Sequence, residues 1–286
     1  MRKIIVDNKF NNKKLQAFLQ FNFNGLSSSM FFKTLRKKDI KINGKRTNEN
    51  IVVYENDVIE IYLNDEFLFN TIKPNIIYED ENILIVNKPS GIEVLDDSNT
   101  NLTKILHDKY CLNNGFPYPC HRLDRNTSGL IIYAKNKEAL DILNNKIEKH
   151  EIQKFYKCTV IGILNKKEDT LEDYLFKDSK KSIVYISSTP NQGYKKIITS
   201  YKVIDENIKD NLSILEVQLH TGRTHQIRSH LAHIGHPILG DGKYGINEFN
   251  KKFNKKFQEL IAYKLIFNFT TDAGILEYLN KKEFKI

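Results

Sequence analysis

Between residues 77 and 269 the chain returns again and again to short runs rich in β-branched and aromatic residues. ILIVN (83–87), LIIYA (130–134), FYKCTVIGIL (155–164), SIVYISS (182–188), IITSYKVI (197–204), SILEVQLH (213–220) and LIAYKLIFNF (260–269) each have roughly the length of a strand and are separated by turn-forming or polar residues. Against them stand two helical patterns. KEALDILNNKIEK (137–149) has Ala139, Leu140, Leu143 and Ile147 as an inner face, and HQIRSHLAHIG (225–235), with Thr224 as its cap, stops at Gly235 and Pro237. Many strands and few helices predict an α+β fold on a mixed or antiparallel sheet with flanking helices over 77–286.

A different pattern precedes it. In KKLQAFLQFNF the residues Leu15, Phe18 and Leu19 have helical spacing, and Ser27, Ser28 and Ser29 offer N-caps for a second helix with Phe31, Phe32 and Leu35 on its apolar side. The strand IKI, the turn Asn43-Gly44 and KRT then read as a hairpin, and VIEIYL (58–63) alternates as another strand. Lys33, Arg36, Lys37 and Lys38 crowd the end of the second helix, and Lys45 and Arg46 follow in the hairpin. Basic residues there complement the helix dipole, but a cluster this dense reads better as a phosphate-contacting surface. Residues 13–63 are thus expected to form a small module, joined through a linker at 64–76.

The formal net charge is +9, in keeping with an anionic partner such as nucleic acid. Cys111, Cys120 and Cys158 are odd in number and form no C-x-x-C pair, which argues against a disulfide framework and fits a reducing compartment. The N-terminus has no apolar segment of signal-peptide length, and no stretch approaches about 18 uninterrupted apolar residues. A cytoplasmic protein with no membrane association is expected, with a monomer as the default and no obligate protein partner.

Residues 121–130, HRLDRNTSGL, set one carboxylate, Asp124, between Arg122 and Arg125 at the entry to an apolar strand. Neighbouring cations favour the ionised carboxylate, which suits a nucleophile, a weak base or half of an ion pair better than a general acid. A second segment, LHTGRTHQIRSHLAHIGHPILGDGKYG (219–245), places Arg223 at a strand-to-helix turn and Arg228 inside the helix, so further cations are at hand for a carboxylate or a phosphate. His225, His230, His233 and His236 match neither H-E-x-x-H nor paired C-x-x-C spacing, and no metal site is expected. On the strand KFYKCTVIG, Tyr156 shares a face with Lys154 and Cys158.

Together these segments resemble the RluA-type RNA pseudouridine synthases: HRLD followed by TSGL and AK, then Lys154-x-Tyr156 with Val160 and Gly162, then TGRTHQIRSHL with GHPILGD, and VNKPSGI as an early motif. The N-terminal stretch is similar to the S-four (α-L) RNA-binding module, on its basic helix and KDIKINGKRTNENIVVYENDVIEI. The resemblance implies isomerisation of uridine to pseudouridine in RNA, without cofactor or metal. It implies Asp124 as the essential acid, whether through attack on the sugar, addition to the base or a glycal. Arg223 is expected to pair with Asp124, Tyr156 to stack on the target base, and Arg122 to enter the space the base leaves. His121, Arg125 and Arg228 join the basic cluster at 33–46 as expected RNA contacts. Large-subunit ribosomal RNA is the expected substrate and transfer RNA the alternative; a non-catalytic RNA-binding assembly factor is the competing class.

Overall fold

The computed structural model describes residues 1–23, 25–68, 74–96, 101–110 and 115–286. The chain divides into two units, one covering 1–73 and the other 74–96 with 101–286. No helix among the described residues is long and apolar enough to cross a membrane.

The first unit runs through β1 (Arg2–Ile5), β2 (Lys13–Lys14), α1 (Leu15–Asn22), α2 (Ser28–Arg36), β3 (Ile40–Ile42), β4 (Lys45–Thr47), β5 (Val52–Val53), β6 (Val58–Ile61) and the single turn α3 (Asp65–Leu68). Its main sheet has the order β1-β6-β3-β4, with β2 and β5 paired separately. Alternation buries Ile40, Ile59 and Ile61 against Leu15, Phe18 and Leu19 of α1 and Phe31 and Leu35 of α2. The boundary expected at residue 13 cuts through this unit, because β1 is an edge of its sheet. Likewise, Leu68 lies in its core, so the expected linker contributes to the fold.

Ser27 caps α2, its hydroxyl accepting from Met30 N–H at 3.1 Å. Phe32, expected on the apolar side, is exposed. The inward position belongs to Thr34, whose hydroxyl donates to the Met30 carbonyl at 2.8 Å. Asn43 and Gly44 turn the β3–β4 hairpin with φ of 50° and 80°, the left-handed pair that a two-residue type I′ loop requires.

The second unit contains β7 (Asn75–Glu79), β8 (Ile83–Lys88), α4 (Leu102–Tyr110), β9 (Tyr118–Pro119), β10 (Ser128–Ala134), α5 (Lys137–Glu148), β11 (Ile152–Ile161), β12 (Glu168–Asp178), β13 (Ile183–Ser187), β14 (Lys195–Asn207), β15 (Leu212–Leu219), α6 (Gln226–His233), α7 (Asn247–Lys252), β16 (Leu260–Phe267) and β17 (Glu283–Lys285). Its sheet follows β13-β12-β14-β15-β11-β16-β10-β8-β7, with β17 beside β16 and β9 beside β10. The β10–β16 pair is parallel and the other pairs are antiparallel, so the sheet is mixed. On α5, Ala139 and Leu143 are buried as the periodicity predicts. Lys146 is buried with them, its ammonium donating to Glu151 Oε2 and Thr271 Oγ1, each at 2.7 Å. Cys120 and Cys158 are free thiols, and Cys111 lies outside the described residues.

The parallel contact explains the glycine of TSGL. Gly129 has φ 113°, and a β-carbon there would stand 2.2 Å from the Ala262 carbonyl oxygen. Only a residue without a side chain lets β10 approach β16 this closely. Gly129→Ala is therefore expected to destabilise the protein by at least about 2 kcal/mol, read as a lower urea midpoint. Gly242→Ala, where a β-carbon meets open space, should leave the midpoint nearly unchanged.

Candidate active site

Asp124 stands on the turn that feeds β10. Thr127 N–H donates to the Asp124 backbone carbonyl at 3.0 Å, and Thr127 Oγ1 accepts from Gln258 Nε2 at 2.7 Å. The carboxylate lines an open cleft of about 1170 Å³, together with Tyr156, Arg122, Arg223, His225 and Arg228. The cleft thus collects side chains from the turn before β10, from β11, and from the β15–α6 connection and α6.

The ion pair expected between Asp124 and Arg223 is made instead by Arg228, whose Nη1 donates to Asp124 Oδ2 at 2.8 Å. The same guanidinium grips Asp241 with two bonds, Nε to Oδ2 at 2.7 Å and Nη2 to Oδ1 at 2.9 Å. Arg223 sits on the exposed turn before α6 and forms no ion pair among the described residues, whereas Arg228 is on the inner face of the helix. Arg228 is therefore buried and committed to two carboxylates rather than held free for RNA. Burial alone would raise the Asp241 pKa, but the Arg228 bonds and the Lys243 and Tyr244 N–H groups hold it below the usual carboxylate range. Asp124 Oδ1 has no hydrogen-bond partner among the described residues and remains available to a ligand.

Tyr156 is buried on the face it shares with Cys158, and it lines the cleft. Burial, aided by the negative charge of Asp124, pushes its phenol pKa up, so the hydroxyl keeps its proton at neutral pH. Arg122 is exposed at the cleft, and Arg125 donates from Nε to the Gly91 carbonyl at 3.2 Å. His121, expected to contact RNA, instead accepts the Ile132 N–H on Nε2 at 3.1 Å. Burial, with the Lys154 charge nearby, lowers its pKa to about 3. The imidazole is thus a neutral brace between the HRLD turn and β10.

Sequence reasoning passed over Lys88, read only as part of a turn. Its side chain is fully buried, and Nζ donates to the carbonyls of Pro89 (3.1 Å), Ile92 (2.8 Å) and Arg125 (3.0 Å), tying the VNKPSG turn to the turn that carries Asp124. Burial lowers its pKa to about 8, with the charges of Glu93 and Asp124 opposing the shift. Asp241 and Gln226 were also missed. Gln226 Oε1 accepts from Thr221 Oγ1 at 2.9 Å and from Arg223 N–H at 3.1 Å, holding the TGR turn where a Thr224 cap was expected. Lysine at the end of an apolar strand was the legible signal for Lys88; nothing in the spacing marks Asp241.

In the first unit, Lys33, Arg36, Lys37, Lys38, Lys45 and Arg46 are all exposed. Arg46 Nη1 donates to the Lys38 carbonyl at 2.6 Å, which joins the hairpin to the end of α2 beside the Asp39 carboxylate.

Residues 82–233 match the family model for RNA pseudouridylate synthase. An uncharacterized RNA pseudouridine synthase of Mycoplasma capricolum is 35% identical, the match covering 99% of this chain and 96% of the relative. The ribosomal large subunit pseudouridine synthase C of Buchnera aphidicola (from Schizaphis graminum) is 32% identical over 93% of this chain and 88% of its own length. The fold resembles that of human RNA pseudouridylate synthase domain containing 1, with a TM-score of 0.59, 24% identity, and 70% of this chain and 80% of the human chain covered.

The brace at His121 has a pH consequence. Its pKa is about 3 folded and near the ordinary 6.5 unfolded, so below pH 6.5 the unfolded chain binds the extra proton. Stability should be intact above pH 6.5 and fall as pH drops toward 3, by up to about 1.4 kcal/mol per unit. Denaturation midpoints at pH 7 and pH 5 check this: His121→Gln, which can still accept the Ile132 N–H, should show a smaller drop than the native protein.

Proposed function

We propose that this chain, which belongs to the RNA pseudouridylate synthase family and is an isomerase of uridine in RNA, acts on large-subunit ribosomal RNA through Asp124. The observation that carries the site assignment is the arrangement of the Asp124 carboxylate, one oxygen given to the buried Arg228 and the other open to the cleft. Pseudouridine formation breaks the bond from ribose to N1 of uracil and makes one to C5, leaving a proton on N1 and removing one from C5. It needs an oriented carboxylate beside the sugar, and the Arg228 ion pair holds Asp124 in one orientation.

A uridine in folded RNA must leave its stack to reach the cleft, at a cost of a few kcal/mol. The exposed cations Arg122 and Arg223 are suited to offset this, Arg122 by filling the vacated stack and Arg223 by meeting phosphate. Tyr156 offers a buried ring for the base and a hydroxyl that stays protonated. Residues 13–63 act in this reading as an S-four-like RNA-binding module, supported by the exposed basic residues of α2 and the β3–β4 hairpin. Ribosomal RNA as substrate is supported by the synthase C relatives, which carry that target in their names. A cytoplasmic monomer fits this role.

The direct test is a pseudouridine map of unmodified ribosomal and transfer RNA after incubation with the protein. Sites should appear in large-subunit RNA, and Asp124→Asn should lower their rate of formation more than about a thousandfold. Sites confined to transfer RNA would transfer the assignment there; sites persisting with Asp124→Asn would remove Asp124 from the chemistry. Arg228→Lys keeps the charge but not the fork, and should lower kcat about a hundredfold with RNA affinity nearly unchanged.

A separate prediction concerns the basic surface. Replacing Lys33, Arg36, Lys37 and Lys38 by alanine should weaken RNA binding. The slope of log affinity against log salt should fall by about 0.7–0.9 for every phosphate that these side chains neutralise in the native protein. An unchanged slope would show that this surface does not meet the backbone.

A further inference from the structure

His225 lines the cleft beside Asp124 but takes no part in the Arg228 ion pairs. It stands just before α6 with φ 54° and ψ 17°, a left-handed conformation that a residue with a β-carbon adopts only where its surroundings impose it. Here the surroundings are specific. Ser229 N–H and Ser229 Oγ both donate to the His225 carbonyl, at 2.9 and 3.0 Å. The imidazole Nδ1 lies 2.9 Å from the Tyr244 hydroxyl, and the two rings meet edge to face at 5.6 Å. Tyr244 is anchored in turn, since its N–H donates to Asp241 Oδ1 at 3.1 Å, the carboxylate that also grips Arg228.

The hydrogen bonds around Tyr244 favour one tautomer. Val184 N–H donates to the Tyr244 oxygen at 2.9 Å, and among the described residues the remaining partner for the phenolic proton is His225 Nδ1. With the phenolic proton directed to it, Nδ1 accepts, and the proton of the neutral ring is then on Nε2. Burial favours the same neutral form by lowering the imidazole pKa. Nε2 has no partner among the described residues. The cleft thus presents a fixed, uncharged N–H donor beside the reacting carboxylate, while the exposed Arg122 and Arg223 supply its positive charge.

An uncharged donor in a partly buried wall is matched by a carbonyl oxygen, whereas a phosphate is better met by the exposed arginines. Uracil carries two such carbonyls, at C2 and C4. We propose that His225 is a substrate-contacting residue whose Nε2–H, oriented by Tyr244, donates to one of these oxygens and so registers the target base against Asp124. The inference rests on the cleft being the uridine site.

The test uses the full-length protein and a substrate RNA with uridine, 2-thiouridine or 4-thiouridine at the mapped position, because sulfur accepts hydrogen bonds poorly. His225→Asn is the first variant, since asparagine tolerates the left-handed backbone; Tyr244→Phe, which removes the orienting hydroxyl, is the second. In the native protein one of the two thio substitutions should cost about tenfold more in kcat/KM than in His225→Asn, the factor expected of one hydrogen bond. The affected position names the oxygen, and Tyr244→Phe should show a reduced penalty at that position. Equal thio penalties in native protein, His225→Asn and Tyr244→Phe would overturn the contact. Absence of pseudouridine from native protein with unsubstituted RNA would instead overturn the reading of the cleft, and the contact with it.

Discussion

The carboxylates of Asp124 and Asp241 are held by one guanidinium. Arg228 reaches from the inner face of α6 and binds both oxygens of the fully buried Asp241 while its third nitrogen holds Asp124. Removing ions from water costs several kcal/mol each, and this is offset only when the geometry is good and the remaining lone pairs are satisfied. Asp241 meets that condition through the additional N–H groups of Lys243 and Tyr244. The single ammonium nitrogen of a lysine could not grip one carboxylate along its edge and hold a second beside it; the planar fork can. The result is a carboxylate with a fixed orientation and one oxygen open to the cleft.

A second set of buried groups fixes the same turn from the other side. Lys88 gathers the Pro89, Ile92 and Arg125 carbonyls, and His121 takes the Ile132 N–H. Both groups have pKa values displaced by burial away from their charged forms, a penalty set against the order they impose on the backbone. The TGR turn is held similarly by Gln226, which also donates to Thr199 Oγ1 at 3.0 Å, and Thr199 is bonded to the buried His230. Such polar networks behave as units, so a turn that lines the cleft can be rigid although it is a loop.

The strand runs were legible because alternation and β-branched residues mark them, and an α+β fold on a mixed or antiparallel sheet followed from their number; the parallel β10–β16 pair makes it mixed. β12 was not legible: EDTLEDYLFKD carries acids where a strand pattern wants apolar residues, and one of them, Asp173, points inward to His230. α4 could have been read from Leu102 and Leu106, four apart and both buried. The motif segments supply the lining of the cleft, but Arg228 rather than the expected Arg223 pairs with Asp124. Arg223 and Arg228 lie in one motif, and what separates them is Asp241, thirteen residues along the chain from Arg228 and folded back onto it. That contact is tertiary, and no local pattern encodes it. The exposed Phe32 and inward Thr34 of α2 show the same limit, because spacing alone did not say which side of the helix meets the core.

The place of β16 in the sheet bears on how the protein is made. This strand begins at Leu260, near the end of the chain, yet it lies between β10 and β11. Before its synthesis the sheet consists of two unjoined halves, one carrying Asp124 and the other Tyr156 with the β15–α6 segment that bears Arg228. Closing the sheet requires pairings such as Gly129 with Ala262, between residues far apart in sequence, and long-range contacts of this kind form late and slowly. The pairings of the first unit span less chain, the longest being Arg2 with Ile61. As the chain is made, the cleft can therefore close only after β16 has followed both halves.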